Sequence, residues 1–102
     1  MLVRGDVGPA GKPRPCLIVQ HSATLAASSK LTICPLTSVV KVGSSIRPLI
    51  HPSRETNLRV ISQVQVDWLF TYRRDRIGQR IGSVDATAMR EVDTALKRWL
   101  DL

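Results

Sequence analysis

Hydrophobic and polar positions in this chain alternate in short runs until the last residues, where they settle into a helical stripe. Residues 2–7 (LVRGDV) predict a short strand with a bend or bulge at Gly5-Asp6. Gly8-Pro9-Ala10-Gly11 cannot continue a strand and reads as loop. Residues 16–20, opening with Cys16-Leu17-Ile18-Val19, are apolar on both faces and predict a central strand. Ser22 is placed to cap one helical turn through Ala27. Residues 30–37 (KLTICPLT) alternate around Leu31, Ile33 and Leu36. Pro35 removes a ladder donor near the end of that run, so the strand ends or bulges where Thr37-Ser38 appear.

Residues 39–45 read as a hairpin connection with Gly43-Ser44-Ser45 at its tip, and 46–50 as an edge strand because of Pro48. Residues 51–57 are polar loop. Residues 58–67 (LRVISQVQVD) give the cleanest alternation, Val60, Ser62, Val64 and Val66 against Ile61, Gln63, Gln65 and Asp67. Residues 68–72 extend the sheet, Arg73-Arg74-Asp75-Arg76 is a charged turn, and 77–84 is a short glycine-flanked segment. The end is helical: Asp85 caps it, and Met89, Val92, Leu96 and Trp99 share one face. The sum is mainly β with a C-terminal α-helix, a small antiparallel β-barrel packed by that helix, in one domain spanning 1–102.

The 102 residues suffice for one modest core. A net charge of +7, with eleven of the fifteen cations arginine, favours polyanionic partners. The aromatics are only Trp68, Phe70, Tyr72 and Trp99, which excludes an RRM-like stacking platform. No apolar run approaches membrane-spanning length and no secretory signal pattern is present, so the expected location is cytoplasmic, without a membrane partner. Cys16 and Cys34 each lie in an apolar run, as small buried hydrophobes or, if their strands are adjacent, as an oxidation-sensitive pair. Neither has a partner at zinc-ligand spacing, so no metal site and no cofactor is expected.

Candidate chemistry centres on GKPRPCLIVQ, residues 11–20. Pro15 pushes Arg14 towards extended geometry, at the mouth of an apolar strand. If that strand neighbours residues 30–37, Arg14 and Thr37 face one pocket suited to a phosphodiester. The plainer alternatives are a surface-loop arginine and a threonine bonded to its own turn. His21 and His51 are candidate bases or simply solvated loop side chains. Asp67 either serves a site or pairs with a neighbouring arginine. Arg73 to Arg76 either track phosphates or form a solvated turn.

The order of five motifs resembles the PemK/MazF toxins of bacterial toxin–antitoxin pairs, which share a fold with CcdB toxins. They are Gly5-Asp6, Lys12-Pro13-Arg14-Pro15, Cys34-Pro35-Leu36-Thr37-Ser38, residues 62–67 (SQVQVD), and Arg74-Asp75-Arg76-Ile77-Gly78 followed by Ile81-Gly82 and the final helix. The resemblance implies a CcdB-type, SH3-like barrel and a homodimeric, metal-independent endoribonuclease. Such an enzyme cuts single-stranded RNA at a short sequence and is neutralised by a cognate acidic antitoxin. By motif position Arg14 and Thr37 match the catalytic Arg and Thr, with Ser38 beside them. Lys12, Gln63, Gln65, Asp67 and Arg73 are the expected RNA contacts, Gln65 standing where certain relatives carry Arg. Only residues 7–12 span a gap that in relatives usually holds a longer loop supplying a Glu or His, which leaves the general base unassigned. Two other classes fit the same residues. One is a CcdB-like gyrase poison docking through Trp99-Leu100; the other is an inactive RNA-binding or antitoxin-sequestering module.

Overall fold

Strand β3 (Lys30–Thr37) is the one on which the others converge. It runs beside β2 (Pro13–Ile18) on one side. On the other its first half pairs with β6 (Phe70–Arg73) and its end with β5 (Ser62–Val64). With β1 (Leu2–Asp6), β4 (Leu49–Ile50) and β7 (Ile77–Gly82), the path is β4-β5-β3-β2-β1-β7, every pair antiparallel. These relations come from a computed structural model that describes residues 1–6 and 13–102. The Gly8-Pro9-Ala10-Gly11 loop and Lys12 lie outside the described residues.

Both faces of this sheet are covered, which explains why its central runs are apolar without a break. Leu2, Leu17, Cys34 and Leu36 point to one face, where they pack with Ile50, Val64, Val66 and with Val92 and Ala95 of helix α2 (Ala86–Leu100). Val3, Cys16, Ile18, Leu31 and Ile33 point to the other, beneath Tyr72, Ile77 and Leu25 of the short helix α1 (Ser22–Leu25). Leu17 stands opposite Cys34 in the ladder, so Cys16 and Cys34 face opposite sides. Both are free, and no bridge joins them. Burial pushes the Cys16 thiol up to about 11 and the Cys34 thiol up to about 12. They are buried hydrophobes, not a redox pair.

The ends of the sheet path are brought together by the loop 51–61. The Ser83 N–H donates to Glu55 O at 2.8 Å, and Asn57 Nδ2 donates to Ile81 O at 2.8 Å. The loop is itself knotted around Thr56, whose buried hydroxyl accepts from the Ser53 N–H at 3.0 Å and donates to His51 O at 3.1 Å. Gly82 makes this approach possible, because a Cβ there would lie 2.3 Å from Glu55 O and 2.7 Å from Thr56 O. The barrel expected from the sequence is therefore closed by a loop, not by a strand ladder.

Several expectations are corrected. The strand predicted over 16–20 begins at Pro13, so Arg14 is a strand residue; Pro13 and Pro15 are tolerated because that stretch is paired with β1 alone. The alternation over 58–67 shrinks to Ser62–Val64, and residues 62–66 are all buried, Val64 and Val66 in the core and Gln63 bonded to the connection 39–47. Val66–Trp68 turns into a 3₁₀ helix. The edge strand over 46–50 is only Leu49–Ile50, though it does lie at the end of the path. Helix α1 is capped by His21, whose Nδ1 accepts from the Ala23 N–H at 3.0 Å, one residue before the expected Ser22. Asp85 caps α2 as expected, accepting from the Ala88 N–H at 2.7 Å, but Trp99 is half exposed and Ala95 takes the buried place. Among the described residues no helix is long and apolar enough to cross a membrane.

Candidate functional site

The β2–β3 register pairs Cys16 with Pro35, Leu17 with Cys34 and Ile18 with Ile33. Carried two steps further, the same register sets Pro15 against Leu36 and Arg14 against Thr37. The ladder stops before it reaches them. Pro15 has no N–H to continue it, and Leu36 and Thr37 are paired only at the other edge of β3, with Val64 and Gln63 of β5. The two strands thus part where Arg14 and Thr37 would have met, and a cleft of about 490 Å³ opens between them.

Arg14, Thr37 and Ser38 all line that cleft. Two further arginines line it, Arg4 from β1 and Arg59 from the loop 51–61, with Asn57 and Ser62. No carboxylate or imidazole is among its described lining residues. Thr37 Oγ1 accepts the Val39 N–H at 3.1 Å, the turn bond expected of a threonine at a strand end. A hydroxyl carries one donor and two acceptor sites, so that bond fixes the oxygen and leaves the O–H to donate. The turn and the site are compatible uses of one group. Three cations and the hydroxyls of Thr37 and Ser38, in a recess with no carboxylate among its described lining residues, can hold an anion and stabilise charge building up on it.

Arg4 sits directly across the ladder from Pro15, so pairing residues 2–6 with 13–17 as a hairpin finds it from the sequence. Arg59 carries no such signal. Its place depends on Asn57, held in the left-handed region at φ 55°, and on the Asn57–Ile81 bond, neither of which alternation reveals.

Other expected contacts lie elsewhere. Asp67 is held by Arg47 through two bonds, Nε to Oδ1 at 3.0 Å and Nη2 to Oδ2 at 2.8 Å, with both side chains four-fifths buried. This hydrogen-bonded guanidinium holds the Asp67 carboxyl below its ordinary range. Gln63 is buried; its Oε1 accepts from the Lys41 N–H at 2.7 Å, and its Nε2 donates to Lys41 O and Arg47 O, each at 2.9 Å. That amide clamps the connection 39–47 onto β5. Gln65 is buried beside it. Arg73 lies at the far end of β3, opposite Lys30 and against Asp75, where it is exposed. Arg74 reaches back to the carbonyls of Leu25 and Ser28, tying the charged turn to the end of α1. His51 is exposed in its loop, and His21 is engaged as a cap.

Residues 2–100 match the family model of the PemK-like, MazF-like toxin of type II toxin–antitoxin systems. A curated relative, "Probable endoribonuclease MazF" of Mycolicibacterium smegmatis, is 31% identical over 97% of this chain and 96% of its own length. "Endoribonuclease MazF6" of Mycobacterium tuberculosis is 31% identical over 95% of this chain and 90% of its own. Among solved structures, the Mycobacterium tuberculosis toxin MazF-mt6 superposes with a TM-score of 0.87 at 22% identity, covering 99% of this chain and 96% of that one. A mycobacterial endoribonuclease in complex with its cognate antitoxin gives 0.82 at 26% identity, covering 99% and 91%. The fold is thus that of a toxin from a toxin–antitoxin pair. The chain belongs to the PemK/MazF family, an endoribonuclease toxin family.

Proposed function

We infer that the cleft cuts single-stranded RNA at a short sequence, the 2′-OH of the substrate attacking the adjacent phosphorus. The attack forms the 2′-O–P bond and breaks the 5′-O–P bond, leaving a 2′,3′-cyclic phosphate and a 5′-hydroxyl. Because the nucleophile belongs to the substrate, the protein's task is to meet the charge gathering on the non-bridging oxygens. Arg14 supplies the cation, Thr37 an oriented hydroxyl donor and Ser38 a second hydroxyl beside it. With charge met by side chains, the reaction needs no metal. A guanidinium with a pKa above ~12 is a poor proton donor at neutral pH, so Arg14 acts by charge and not by proton transfer.

The observation that carries this reading is that Arg14 and Thr37 line one recess, with two further arginines, where the β2–β3 ladder is interrupted. The same recess suits an acidic peptide, and the reading includes a cognate antitoxin whose acidic segment fills it. It also includes a homodimer acting in the cytoplasm, inhibiting translation and growth. A gyrase poison is not carried forward, since the matched family is the ribonuclease toxins.

The test is digestion of mixed single-stranded RNA in EDTA, with fragment ends sequenced and their termini identified. Wild type gives discrete fragments ending in cyclic phosphate. Arg14→Ala keeps its fold and loses roughly two to three orders of magnitude in rate, as removal of one preorganised donor does elsewhere. Unchanged cleavage in that variant rules out the assigned role.

A further inference from the structure

Arg4 and Arg59 line the cleft beside Arg14, and neither has a role in the reaction just described. Several other arginines are already engaged. Arg47 holds Asp67, Arg73 meets Asp75, Arg74 binds two carbonyls, and Arg98 donates to Ser45 O. Among the described residues Arg59 has neither an ion-pair partner nor a side-chain hydrogen bond, and it is exposed at the cleft.

Its backbone is nonetheless anchored on both sides. Asn57 is tied to Ile81 O through its side chain and to Ser53 O through its N–H at 2.9 Å. Leu58 packs against the main core. Beyond Arg59, Val60 O accepts from Ser62 Oγ at 3.2 Å, and Ser62 begins β5. An unpaired guanidinium on a pinned loop, sharing a recess with Arg14, is suited to a planar two-point contact with a second phosphate of the same strand.

We propose that Arg59 is a substrate-positioning residue: it binds a phosphodiester neighbouring the one that is cut and so sets how the RNA strand lies across Arg14 and Thr37. The proposal rests on the nuclease reading for its consequence but not for its contact. A ground-state contact outside the reacting group raises KM without lowering kcat.

The experiment compares wild type, Arg59→Ala and Arg59→Lys on one cleavable single-stranded RNA at several salt concentrations. A second assay measures affinity for the same sequence made as 2′-deoxy oligonucleotide, which cannot be cut by 2′-OH attack. Arg59→Ala is expected to raise KM about fivefold with kcat within twofold, and to flatten the salt dependence of binding by about 0.7 in log–log slope. Arg59→Lys keeps the salt slope while recovering only part of the affinity, since it retains charge but not the fork. Unchanged KM and slope, or a fall in kcat with KM unmoved, overturns the proposal. If wild type cuts nothing while Arg59→Ala still weakens oligonucleotide binding and flattens its salt slope, the nuclease reading fails and the contact stands. If the wild-type oligonucleotide affinity is matched by Arg59→Ala, the contact fails whatever happens to cleavage.

Discussion

The Arg47–Asp67 pair shows one carboxylate put to use in the fold. Two bonds at 3.0 and 2.8 Å leave little capacity on that carboxylate for a ligand. They tie the connection before β4 to the 3₁₀ turn after β5. The pair has a pH signature. The folded carboxyl titrates below its ordinary 3.8, so the ion pair stabilises fully above about pH 4 and is lost as pH falls through the lowered folded value. Asp67→Asn is expected to lose roughly 1–3 kcal/mol at pH 7, the range for hydrogen bonds to charged groups. Chemical denaturation against pH checks this: the wild-type and variant curves converge on acidification below pH 4. Thr37 makes a complementary point at the same scale. Its turn bond uses an acceptor site of the hydroxyl and leaves the O–H free to donate, so the bond that makes the turn also orients the group at the cleft.

Among the elements, the contact between Gly82 at the end of β7 and the loop 51–61 is the tightest constraint. A methyl at that position meets backbone oxygen at 2.3 Å, and backbone cannot rotate away as a flexible side chain can. Gly82→Ala is expected to cost roughly 1–3 kcal/mol by overpacking. It also moves Asn57 and Arg59, so KM for RNA rises alongside the drop in thermal midpoint; a Gly82→Ala protein with wild-type midpoint contradicts the packing. Such contacts mark where sequence reading stops. β3 was legible to both ends because its alternation is bounded by Ser29 and Ser38 and broken only by Pro35, and α2 because Asp85 and the stripe through Val92 agree. The ends of β5 were not legible, because alternation is read on the assumption of one wet face, and Gln63 and Gln65 are dry. The prolines around Arg14 looked like loop residues, although the strand there needs ladder donors on one side only. Arg14 and Thr37 were singled out from the prolines and the strand ends, and the resemblance added catalytic roles to them, whereas the place of Arg59 depends on a tertiary bond that no local pattern encodes.

For the molecule as a whole, one sheet separates two apolar clusters, and each holds one thiol. Cys16 and Cys34 therefore report on opposite faces. With thiols pushed up to about 11 and 12 by burial, neither is ionised at pH 8, and both are shielded. Thiol labelling at pH 8 is expected to be slow in the native protein and to reach both cysteines together as denaturant unfolds it, since the sheet is common to both clusters. Labelling of one cysteine well before the other indicates that one face opens independently. Charge acts at this scale too. A net +7 raises encounter rates with any polyanion, while the cleft decides which encounters become contacts.

The barrel's seam has an evolutionary corollary. Because it is fastened by Glu55 and Asn57 and not by a seventh rung of paired strands, residues 58–61 can be rewritten without unpicking any ladder. Three of those positions, Leu58, Arg59 and Val60, line the cleft. Mutational drift there retunes what the recess grips, while the hoop that carries Arg14 and Thr37 keeps its circumference.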